Sequence, residues 1–97
     1  MTPSVLPKPE GIPDNWIQRP TRTGGGMEYV NPRNPNDRVR VMPGNPNSRY
    51  ANQRRPYVVD QCGGYRDVNG NPVRGRSPGR APEAHIPYQS FTFRRPR

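Results

Sequence analysis

Cysteine, lysine and histidine are each nearly missing from this chain of 97 residues, and apolar residues make up only 28% of it. The single cysteine, Cys62, excludes an internal disulfide and any zinc site built on cysteines, and His85 is the only imidazole that can serve as a ligand. Neither a metal nor a cofactor is expected. No apolar run approaches the ~20 residues of a membrane-spanning helix. The N-terminus also lacks the basic and apolar regions of a signal peptide, so no insertion into a membrane is expected and export is expected to depend on a carrier. So few apolar residues allow one small domain at most, with a thin core.

What the chain has in quantity is proline, glycine and arginine. Fifteen prolines and ten glycines predict long irregular connections and raise the prospect of disorder. The apolar and aromatic residues are clustered, however, at Tyr29-Val30, Val39 to Met42, Tyr57 to Val59 and Ile86 to Phe93. That clustering points to a small sheet. Sixteen cations stand against seven acids, for a formal charge of +9, and Lys8 is the only lysine. A solubility surface has no need of that bias, whereas forked, planar recognition of phosphate does. The expected partner is a polyanion, nucleic acid first, with an anionic membrane surface and an acidic protein behind it.

Residues 1–13 hold four prolines and little apolar pattern, and read as a flexible linker or arm ahead of a folded unit spanning 14–97. Asp14 is placed to cap a short helix through Asn15, Trp16, Ile17 and Gln18, which Pro20 stops, with Trp16 and Ile17 over one end of the core. Gly24 to Gly44 reads as a β-hairpin. Met27 to Val30 is one strand, Asn31 to Asn36 the turn, and Arg38 to Met42 a second strand with Val39 and Val41 on one face and Arg38, Arg40 and Met42 on the other. Tyr57 to Val59 is a third strand, Tyr65 to Val73 a short hairpin around Asn69-Gly70, and Ser90 to Phe93 a last strand by its alternation. The class predicted is α+β: a single small domain with a short N-terminal helix and a twisted antiparallel sheet joined by long Pro/Gly-rich loops.

The chemistry on offer is one imidazole, many guanidiniums and a few carboxylates and hydroxyls. That set suits cleavage of RNA through its own 2′-OH, which needs a proton-moving group and fixed positive charge at the developing pentavalent phosphate. DNA lacks that internal nucleophile, and its hydrolysis commonly draws on a metal. His85 and Arg40 are the leading catalytic candidates, with Glu83 beside His85 to orient or share its work and Tyr29 as a further proton-handling group. Gly24, Gly25 and Gly26 offer bare backbone amides, and Arg38, Met42, Ser48, Gln53, Tyr57 and Thr92 complete the candidate substrate contacts. The bland readings stay open beside these: arginines alternating on a strand can be a solvated face, and a lone histidine can be structural.

The runs GGGMEYVNPRNPNDRVRVMPGNPNS and PEAHIP, with Gln53 and Pro56-Tyr57-Val58 between them, resemble the C-terminal toxin modules of bacterial polymorphic toxins, including those of Rhs-repeat and contact-dependent inhibition proteins. The likeness covers residues 22–93. It implies a metal-independent endoribonuclease similar to the barnase, colicin and RelE-like group, delivered as part of a larger effector to act on tRNA or rRNA in the cytoplasm of a target cell. It also implies an acidic immunity protein in the producer, so that the chain is a monomer or half of a toxin–immunity heterodimer. The competing expectations are a non-catalytic nucleic-acid-binding module and a deoxyribonuclease of the same toxin class.

Overall fold

The computed structural model describes residues 6–95. Six strands form one antiparallel sheet: β1 (Ile17–Pro20), β2 (Met27–Asn31), β3 (Asn34–Met42), β4 (Tyr57–Cys62), β5 (Tyr65–Arg66) and β6 (Ile86–Pro87). The first four follow one another across the sheet as a meander. The far side of β4 is shared: Tyr57 and Val58 pair with β6, while Asp60 and Gln61 pair with β5. The only helical elements among the described residues are four 3-10 turns, at Ala51–Gln53, Pro78–Arg80, Pro82–Ala84 and Tyr88–Ser90.

The expected α+β class is therefore corrected to antiparallel β. The stretch assigned to an N-terminal helix is instead a turn, closed by Trp16 N–H donating to the Pro13 carbonyl at 3.1 Å, followed by β1. Four residues ahead of Pro20 are too few to repay helix nucleation, whereas pairing with β2, Ile17 opposite Val30 and Arg19 opposite Glu28, satisfies the same backbone at once. Trp16 does enter the core, but Ile17 is 52% exposed. The last strand also moves: Ile86–Pro87 pairs with β4, while Ser90 closes a 3-10 turn and Phe91 to Phe93 run outside any strand.

Period-two alternation sorts the sheet into two faces. On one, Tyr29, Val39, Val41, Val58 and Ile86 form the main core with Ile12 and Trp16, and Leu6, Met27, Tyr88, Phe91 and Phe93 close over it. Burying a side chain such as Val39, Val58 or Ile86 contributes about 1.5–3 kcal/mol each, and these are at or near zero exposure. On the other face a smaller cluster of Met42, Tyr57 and Val59, with Tyr65, lies beside the charged Arg19, Glu28, Arg38 and Arg40.

The segments at either end of the described residues cover the core face. Of the expected 1–13 arm, residues 1–5 lie outside the described residues, and the remainder is part of the fold. Leu6 packs on the core, Ile12 is buried, Lys8 pairs with Asp14, and the Tyr88 hydroxyl donates to the Pro7 carbonyl at 2.7 Å. At the other end the Arg95 guanidinium spans two buried carboxylates: Nε donates to Asp37 at 2.5 Å and Nη2 to Asp60 at 2.5 Å. The same guanidinium lies 4.8 Å over the Phe93 ring, which meets Trp16 edge-on at 5.3 Å.

Candidate functional site

Strand register lines up a single row of side chains, most of them charged or polar, on the face away from the main core. Arg19 stands opposite Glu28, Glu28 opposite Arg40, and Arg40 opposite Val59. β6 pairs Ile86 with Val58 and Pro87 with Tyr57, so the same register carried back one residue brings His85 beside Val59. The row thus reads Arg19, Glu28, Arg40, Val59, His85, with Arg38 and Tyr57 flanking it along β3 and β4. Each step is one strand spacing of about 4.8 Å.

Glu28 is the only carboxylate of the six strands on this face, because Asp37 and Asp60 point to the core side with Val39. One of its oxygens accepts from Arg19 Nε at 2.8 Å, and the other lies 3.9 Å from Arg38 Nε. Arg38 Nε also donates to Gln61 Oε1 at 3.2 Å. Arg40 stands directly across from Glu28, and its buried Nε has no protein partner. Three arginines against one acid leave net positive charge on this face for an anion, and the enclosed Arg40 Nε is a donor still unsatisfied. The Tyr57 hydroxyl on the same face has its pKa raised by burial, with nearby Arg40 pulling it partly back.

His85 is held on two sides. Its Nδ1 lies 2.9 Å from the Ala81 carbonyl, and since a carbonyl only accepts, Nδ1 carries the proton. Nε2 then holds the lone pair of the neutral ring, 3.3 Å from the side-chain nitrogen of Gln53. Tyr57 packs at a tilt against the ring, centroids 5.2 Å apart. The residue as a whole is 7% exposed.

The candidates taken from the sequence divide accordingly. His85, Arg40, Arg38 and Tyr57 share one face of the sheet, and Gln53 reaches His85 from its loop. Tyr29 does not: it is 2% exposed in the main core, on the reverse face, and burial raises its pKa, with Tyr88 adding to the rise. Glu83 is exposed on its 3-10 turn, and the Ala81 carbonyl takes the ring-orienting place expected for it. Thr92 is exposed on the C-terminal segment that covers the core face. Met42 is 9% exposed and packs into the glycine run, where a Cβ at Gly24 or Gly26 would meet its side chain at 2.5 Å. Gly24 and Gly26 therefore make room for Met42, and the Gly26 amide is already spent on the Thr21 hydroxyl at 2.9 Å. Gly25 is exposed beside them, and the Ser48 hydroxyl accepts from the Tyr50 amide within its own loop.

Sequence reasoning missed Glu28. The signal was present in the alternation, since Met27 and Tyr29 face one way and Glu28 and Val30 the other, opposite the arginines of the paired strand. Among the described residues no group of three His, Cys, Asp or Glu side chains gathers as a metal-binding cluster. Comparison with family models, with curated proteins and with solved structures finds no match.

Proposed function

We propose that the arginine face cuts RNA by transesterification, and that the chain is the toxic module of a larger delivered effector, acting in a target cell and neutralised in the producer by an acidic immunity protein. The toxin setting rests on the resemblance of the glycine-rich hairpin and the PEAHIP run. The chemistry rests on one observation: a carboxylate and an imidazole on the same face, on either side of an arginine with a free buried donor.

The steps follow from those positions. Glu28 takes the proton of the ribose 2′-OH, whose oxygen attacks the adjacent phosphorus. Arg40, with Arg38 beside it, binds the non-bridging oxygens and stabilises the negative charge that grows on them. The bond from phosphorus to the 5′ oxygen breaks, and protonated His85 delivers the Nε2 proton to that leaving oxygen, giving a 2′,3′-cyclic phosphate and a free 5′-OH. Glu28 thus takes the acid/base role first assigned to Glu83.

The purified protein is incubated with total RNA and with plasmid, each with and without EDTA. RNA is cut in both conditions and plasmid in neither. His85→Ala and Glu28→Gln lower cleavage by about 10²- to 10⁴-fold, whereas Glu83→Ala leaves it unchanged. Plasmid cleavage that EDTA abolishes favours the deoxyribonuclease, and binding of both nucleic acids without cleavage favours the binding module.

A further inference from the structure

The only ring atom through which His85 can exchange a proton with a substrate is Nε2, because Nδ1 is committed to the Ala81 carbonyl. That atom is not open. The Gln53 amide stands 3.3 Å from it, within hydrogen-bonding distance, and an imidazole nitrogen makes one such bond. We propose that Gln53 is a gate on the site: its side chain occupies the place of the substrate's leaving-group oxygen and gives way when the substrate binds. The inference rests on the RNA-cleaving reading above.

Two features suit Gln53 to this role. The first is its delivery. The loop of residues 43–55 is folded back on itself, with Asn45 N–H donating to the Gln53 carbonyl at 2.8 Å and Gln53 N–H donating to the Tyr50 carbonyl at 3.0 Å. Arg54 Nε ties the same loop to the Ser48 carbonyl at 2.8 Å. Gly44, at φ +81, lets the chain pass so close to Arg55 that a Cβ there would lie 2.4 Å from a backbone atom. The Gln53 backbone is therefore fixed while its side chain keeps its own torsions.

The second is the amide itself. It donates through nitrogen to the lone pair of the neutral ring, and after a half-turn it accepts through oxygen from the Nε2–H of the charged ring. A carboxylate would serve only the charged form, and an arginine or lysine only the neutral one. A contact of 3.3 Å is at the weak end of hydrogen bonding, so an incoming oxygen displaces it readily. With Gln53 in place the hydrogen-bonding position at Nε2 is filled, whichever charge the ring carries.

The test reads the gate directly and then through kinetics. A short oligodeoxythymidylate lacks the 2′-OH and is not cut by the proposed route, so it serves as the bound ligand. Nuclear Overhauser contacts between the Gln53 side-chain amide and the sole histidine ring are present in the free protein and lost in the complex. Contacts that persist at saturation, or failure of the oligonucleotide to bind, overturn the proposal. In cleavage assays Gln53→Ala lowers KM by about 2- to 10-fold without lowering kcat. Gln53→Glu, which offers Nε2 a carboxylate, raises KM. A lower kcat at unchanged KM for Gln53→Ala would make Gln53 a support for the ring and not a gate. If the wild-type protein cuts no RNA, the spectroscopic result alone decides the gate, and the cleavage reading fails separately.

Discussion

Replacing Arg95 by methionine keeps most of the volume of the side chain and removes its charge. Its guanidinium joins Asp37 and Asp60, whose side chains are 11% and 4% exposed, and is itself only 12% exposed. Deleting one partner of a buried ionic group strands the others, at a cost of about 3–5 kcal/mol. A domain of this size has a total stability of about 5–15 kcal/mol, so the variant loses between a fifth and all of it. At about 4–8 °C per kcal/mol, Tm falls by roughly 12–40 °C. Urea unfolding followed by fluorescence of the sole tryptophan, Trp16, is the assay, since that ring packs on Phe93 beneath Arg95. Adding Asp37→Asn and Asp60→Asn to Arg95→Met removes the stranded charges and recovers most of the loss. A loss below about 1 kcal/mol for Arg95→Met, the value of an exposed pair, would refute the claim that these carboxylates are stranded without it.

Alkaline stability follows from the two tyrosines. Burial raises the Tyr29 and Tyr57 pKa values above the ordinary 10. The unfolded chain therefore releases those protons first: the contribution is whole below about pH 10 and is lost as pH rises through the folded-state values. Thermal melts above that pH fall more steeply for the wild type than for the Tyr29→Phe/Tyr57→Phe double variant. Gly44→Ala combines a left-handed backbone with a clash against Arg55 and costs well over the ~1–2 kcal/mol expected of the backbone alone. Gly63→Ala, at φ +66 with nothing within 4 Å of its Cβ, costs only that backbone share; urea midpoints compare the two. Arg40→Ala lowers RNA cleavage by about 10²-fold and reduces the salt slope of single-strand binding by about 0.7, read from titrations at several salt concentrations.

Three strand cores were legible in the sequence because alternation is local: Met27 to Val30, Arg38 to Met42 and Tyr57 to Val59 all lie within β2, β3 and β4. Ile17 to Pro20 carried no such pattern, and Asp14 ahead of it resembled a helix cap; only β2 alongside decides the outcome. Phe91 and Phe93 do alternate, but they pack as a cover on the core without a neighbouring strand to bond. The pairing of His85 with Arg40 as candidates was accessible through chemistry, since a lone imidazole and a basic strand suggest each other, and the sheet puts them on one face with Val59 between. Glu28 needed the register of the hairpin. The Arg95 latch, joining residues 35 and 58 positions apart, leaves no trace in any local window.

The two rims of the sheet bear on how the protein behaves when crowded. An outermost strand exposes a row of unpaired amides and carbonyls that another chain can extend. Here one rim is β1, four exposed residues that include a charged Arg19 and end in Pro20, which has no amide hydrogen to offer. The opposite rim is divided between β5 and β6, two residues each and separated along β4. Neither side presents a flat run longer than about 13 Å at the usual rise per residue, and a net charge of +9 opposes the approach of a second copy. The intact sheet is a poor template for fibre growth, so a protein with this little core can be made and carried at high concentration without zipping edge to edge.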